Sequence, residues 1–135
     1  MNSEKVADLR TRFPFIGAEC RFNFGDGWFA IVAGFCGAAK FRMDETFRIT
    51  QLECRDGKLN IMYVGHGGSA MDKLVAWAEI RSVHTCEHCG HEFKSGYGSG
   101  TRICSVRGRK VRMCPGCLER YETLLSLGRE MALNL

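Results

Sequence analysis

Cys86-Glu-His-Cys89-Gly90 and Cys114-Pro-Gly-Cys117 are two Cys-x-x-Cys pairs with 24 residues between them. In each pair a tight turn can present two sulfurs to one ion, and two pairs complete the tetrahedral S₄ shell that Zn²⁺ accepts. A single pair would also suit a redox motif. Two pairs, with a hairpin-sized spacer and a helical pattern opening at the second, point to one structural zinc ion. Its expected ligands are Cys86, Cys89, Cys114 and Cys117. A complete S₄ shell leaves no open coordination position, so the metal is expected to fold this region rather than to catalyse.

Other chemistries find little support. His84, His88 and His91 surround the first pair and one could replace a thiolate, but four sulfurs already fill the shell. A treble-clef-like nuclease needs a general-base histidine paired with His or Asp on the hairpin, and neither pairing occurs there. No Gly-x-Ser-x-Gly elbow or carboxylate pair stands out. The chain therefore reads as a non-enzyme. Cys20, Cys36, Cys54 and Cys104 lie among apolar or β-branched neighbours and are expected to be small buried hydrophobes. Cys104 keeps a minor alternative as a metal ligand.

The formal charge of +4 is unevenly placed. Six basic residues (Lys94, Arg102, Arg107, Arg109, Lys110 and Arg112) and no acidic one lie between Phe93 and Met113, leaving thirteen basic against fifteen acidic residues elsewhere. A patch of this kind attracts polyanions, so these six form the candidate nucleic-acid-binding set. The bland alternative is a hairpin kept soluble by its charge.

With 135 residues, 45% hydrophobic and 25% charged, the composition is that of an ordinary globular protein and argues against disorder. No apolar run approaches the ~20 residues that span a bilayer. The opening MNSEKVADLRTRF lacks the apolar stretch of a signal peptide, so a cytoplasmic location is expected, with thiols reduced and metal ligation favoured over disulfides.

The surrounding pattern predicts an α+β protein. Residues 3–12 suit a short helix broken before Phe13-Pro14. Residues 15–24 are ambiguous, with an extended segment as one reading. Asp26 offers an N-cap for a nearly all-apolar helix from Trp28 to about Lys40, central to the core. Asp56-Gly57 marks a type I′ hairpin, pairing Arg55 with Lys58, Cys54 with Leu59, Leu52 with Ile61 and Thr50 with Tyr63. Gly65-His66-Gly67-Gly68 lacks any phosphate-loop fingerprint and reads as a turn, with Ser69 capping a helix from about Ala70 to Val83. That helix carries Met71, Leu74, Val75, Ala78 and Ser82 on one stripe and runs straight into Cys86.

The expected organisation is thus an αββα core with an N-terminal helix over residues 1–84, continuous with a Cys₄ module over 85–135. In that module Gly90 suits a knuckle. Residues 102–113 form a hairpin about Gly108, residues 95–100 a glycine-rich mobile loop. Pro115 opens a helix with Leu118, Tyr121, Leu124, Leu125 and Met131. Knuckle, hairpin and helix make a treble-clef-like finger, with a zinc ribbon as the near alternative. Metal binding, on the order of 10 kcal/mol, would offset the chain entropy of so polar a segment.

Three stretches carry a resemblance: Gly25-Asp26-Gly27-Trp28, then Leu59-x-x-x-Tyr63, then Ala78-Glu79-x-x-Ser82-x-x-Thr85-Cys86-Glu87-x-Cys89-Gly90. Over roughly residues 24–90, and more loosely to Cys117, the chain resembles the small uncharacterised zinc-knuckle proteins of tailed phages and prophages. It departs from them at Glu53-Cys54-Arg55-Asp56-Gly57, where that family has "KEKFG", and in a longer C-terminal helix. The resemblance implies a zinc-bearing αββα protein on a mobile element and supplies no activity.

Two functions follow as expectations. The first is a recognition module that binds nucleic acid through the basic hairpin, although stacking aromatics there are limited to Phe93 and Tyr97. The second is a protein-binding inhibitor or adaptor acting on a host enzyme or defence complex, of the anti-CRISPR type. No membrane or small-molecule partner is implied.

Overall fold

The computed structural model describes residues 1–93 and 100–133, the last five as backbone only. Of the anticipated glycine-rich loop over 95–100, residues 95–99, Tyr97 among them, lie outside the described residues, as does Lys94. So does the Met131 side chain.

The mixed α+β expectation holds. Helix α1 (Ser3–Arg12) starts where the Asn2 side chain accepts hydrogen bonds from Glu4 N and Lys5 N at 2.7 and 3.4 Å, an N-cap in the usual sense. It buries Leu9, while Arg10 donates to the Gly17 and Cys20 carbonyls at 3.0 and 2.7 Å and ties down the following loop. That loop is mostly turns, with a two-residue strand β1 (Phe22–Asn23) pairing in parallel with the next strand. A 3₁₀ turn (Asp26–Trp28) leads into α2 (Phe29–Ala39), whose Ile31, Val32, Phe35, Cys36 and Ala39 are buried.

Strands β2 (Arg48–Arg55) and β3 (Lys58–Val64) form the hairpin, and α3 (Gly68–Val83) follows. Asp56 and Gly57 both take positive φ, 52° and 80°, as a type I′ turn requires. A second hairpin, β4 (Arg102–Val106) with β5 (Arg109–Met113), turns at Arg107 and Gly108 in the same way and precedes α4 (Pro115–Leu133). The three-stranded sheet β1-β2-β3 and its helices enclose one core, including Trp28, Phe35, Phe47, Leu52, Leu59 and Met71. No helix among the described residues is long and apolar enough to cross a membrane.

Three local expectations are corrected. Asp26 does not cap α2. It lies within the 3₁₀ turn, and its carboxylate accepts from the Asn2 N–H at 2.7 Å. The Gly25 and Gly27 N–H groups bond Glu87, in the turn that carries Cys86 and Cys89, while Asp26 bonds the start of α1.

Thr50 does not pair with Tyr63. A bulge between Ile49 and Gln51 places Ile49 opposite Tyr63. The slip fully buries Ile49, whose backbone also bonds Phe15 and Gly17. One extra residue is what lets an apolar side chain change faces in a strand.

Ser69 does not cap α3. Gly67 occupies the N-cap and no side chain bonds there. Of the four remaining cysteines, Cys20 and Cys36 are buried as anticipated, whereas Cys54 and Cys104 are only partly so.

Candidate metal centre

Helix α3 ends at Val83 with His84 as its C-cap, and the chain beyond turns into a knuckle. Cys86 N–H donates to the His91 carbonyl at 3.0 Å and Gly90 N–H to the Cys86 carbonyl at 3.0 Å. Gly90 has φ 81°, a left-handed conformation that a side chain would strain. Glu92 pairs with Thr85 across the knuckle's base, and Arg81 grips the Glu92 carboxylate through two contacts of 3.2 and 2.6 Å. On the other side Cys114 directly follows β5, and Cys117 sits in the first turn of α4 behind Pro115. A helix N-terminus favours negative charge there.

The sulfurs of Cys86, Cys89, Cys114 and Cys117 all lie within 4.8 Å of one another. Cys89 and Cys114 sulfurs are 3.7 Å apart. A tetrahedral ion with bonds of ~2.3 Å to sulfur sets that edge at about 3.8 Å, so the spacing fits a single coordinated ion. Backbone N–H groups of Cys89, His91 and Cys117 point at the sulfurs of Cys86, Cys89 and Cys114, at 3.5, 3.5 and 3.4 Å. Such donors favour thiolates.

Four sulfurs this close cannot all ionise unaided. Burial pushes the Cys114 thiol up, but the Cys117 N–H and the surrounding thiols pull it down to a net value of about 7. Cys117 is raised, by burial and then by its bond to Cys114, and Cys89 is raised chiefly by burial. A divalent cation is what permits the whole set to become thiolate together. Three of the four are buried and Cys89 is exposed. No histidine joins the cluster among the described residues, nor does Cys104.

The knuckle rests on the core through contacts the sequence did not announce. Gly27 N–H donates to the Glu87 carbonyl at 2.7 Å, Gly25 N–H to Glu87 Oε2 at 2.8 Å, and Trp28 Nε1 to the Thr85 carbonyl at 2.9 Å. The Gly25-Asp26-Gly27-Trp28 segment is therefore the seat of the turn that carries Cys86 and Cys89. Glu87 is only 4% exposed despite standing between two ligands, and Arg109 pairs with its Oε2 at 2.7 Å. Glu87 Oε1 is buried and finds no nitrogen or oxygen donor among the described residues. Burial, and then the neighbouring Glu87 carboxylate, push the Cys54 thiol up to about 12.

The basic set divides. Arg112 is buried at 8% exposure and donates to the Gly57 carbonyl at 2.5 Å and Thr101 Oγ1 at 3.1 Å, pinning β5 against the β2–β3 turn. Arg109 is committed to Glu87 and to the Asn23 carbonyl at 3.2 Å. Arg102, Arg107 and Lys110 are exposed and have no ion-pair partner among the described residues. Two of the cations expected to face a ligand are thus structural. A run of arginines in sequence does not say which lie beneath a hairpin.

Compared with protein-family models, curated proteins and solved structures, the chain finds no match.

Proposed function

We propose that this chain is a zinc-stabilised, non-catalytic recognition module of treble-clef-like build, binding nucleic acid through the free edge of its second hairpin. A tetrathiolate set favours Zn²⁺ or iron–sulfur chemistry over harder cations, and a single ion with four sulfurs fits zinc. A filled shell leaves that ion no place for substrate. The observation that carries the reading is the set of exposed cations Arg102, Arg107 and Lys110, without an ion-pair partner among the described residues, on a hairpin that Arg109 and Arg112 tie down from beneath.

Three phosphate contacts would give a logarithmic salt slope of about −3 for duplex DNA of random sequence. The double variant Arg107→Glu/Lys110→Glu should flatten that slope by about 2. Failure to bind at about 50 mM salt would overturn the reading.

A second reading has its own support. Leu124, Leu125 and Leu127 on α4 are 67, 41 and 49% exposed, an apolar run of the kind that marks protein contacts. It suits an inhibitor or adaptor acting on a host protein complex, in keeping with the resemblance to phage proteins. Salt-insensitive capture of a host protein, abolished by Leu124→Asp, together with no DNA binding, would favour it.

A further inference from the structure

The outer stripe of α3 carries the chain's second tryptophan. Trp28 is fully buried, whereas Trp77 is 39% exposed. It opens into a groove of about 330 Å³ lined by Arg42, Ala70, Lys73, Leu74 and Trp77. Arg81 lies over the indole at 5.0 Å and is itself held by Glu92, which fixes the ring's attitude. On the α2 side the ring edge faces Gly34, where an added Cβ would meet it at an ordinary 3.6 Å. Phe41, just past α2 and beside Arg42, is 85% exposed.

The groove's charge is one-sided. Arg42 and Lys73 line it with no carboxylate. Asp72 and Asp44 are not among the lining residues: Asp72 accepts from the Tyr63 hydroxyl at 2.5 Å, and Asp44 accepts from Thr46 N–H and Oγ1 at 2.8 and 2.5 Å. An exposed indole flanked by two cations suits a polymer that is both anionic and π-faced. An acidic protein segment would satisfy the cations alone.

We infer that the α2–α3 groove is a stacking site for single-stranded nucleic acid, with Trp77 beneath a base and Lys73 and Arg42 on its phosphates. The inference deepens the nucleic-acid reading above and rests on it. It supplies the aromatic platform that the hairpin lacks.

The test uses the full metal-loaded chain and three probes: oligothymidylate of about 15 nucleotides, an abasic oligomer of equal charge, and poly-glutamate. Oligothymidylate should quench the exposed indole and bind about tenfold tighter than the abasic strand. Trp77→Ala should erase that difference, while Lys73→Glu should weaken both strands alike. Equal binding of the two strands, or equal competition by poly-glutamate, overturns the inference without any variant. If oligothymidylate binds without quenching and is lost in Arg107→Glu/Lys110→Glu, the groove is wrong and the hairpin stands. Absence of binding to single strand and duplex alike defeats both.

Discussion

Gly27 lies against the backbone of the metal-binding knuckle: its N–H donates to the Glu87 carbonyl at 2.7 Å, and an added Cβ would sit 2.6 Å from Gly90 N and collide with the Cys86 carbonyl oxygen. Backbone cannot move aside as a flexible side chain does. Gly27→Ala should therefore cost about 1–3 kcal/mol and loosen the metal as well. A thermal melt and the rate of metal transfer to a chromogenic chelator check this. Unchanged values for both would refute the seat described for the knuckle.

The second prediction concerns metal removal. Stripping the ion should lower the melting temperature and selectively loosen residues beyond His84, because four close sulfurs lose the charge that holds them together. Cys86→Ser or Cys117→Ser should reproduce that loss, and Cys104→Ser should leave one metal per chain. Elemental analysis of reduced protein decides it, and retention of metal by Cys117→Ser would contradict the assignment.

Arg112 and Arg102 should behave oppositely. Removing the buried Arg112 guanidinium leaves the Gly57 carbonyl without its donor, at a cost of about 1.5–3 kcal/mol. Arg102→Ala should stay within about 0.5 kcal/mol of the parent, as surface changes do, yet weaken DNA binding. Urea melts paired with DNA titrations separate the two roles, and equal destabilisation would show the division of the basic set to be wrong.

A fourth prediction follows from Cys36, fully buried in α2. Burial, helped by Cys20, pushes its thiol from 9.0 up to about 12. The folded protein holds this thiol neutral after the unfolded chain has begun to ionise. Its contribution is complete below pH 9.0 and is lost as pH rises toward about 12, at about 1.4 kcal/mol per pH unit. Cys36→Ala should flatten the alkaline fall in stability, even though the cavity lowers stability at neutral pH. Parallel alkaline slopes in the two proteins would argue against it.

Much of this was legible in the sequence where the cause is local. The Asp56-Gly57 turn, the α3 stripe and the two cysteine pairs depend on neighbours a few residues away, and they appear as anticipated. Asp26 and Thr50 did not follow local rules, because the knuckle and the Phe15–Gly17 segment compete for the same backbone.

The spacing of eight cysteines alone singled out the four that converge, since a tight turn fixes the separation of paired sulfurs before the chain folds. Which arginines face solvent, why Gly25 and Gly27 must be bare, and where Trp77 opens were decided only by tertiary packing. Each depends on contacts between segments distant in the chain, such as Gly57 with Arg112 and Gly27 with Glu87, and no local pattern encodes them.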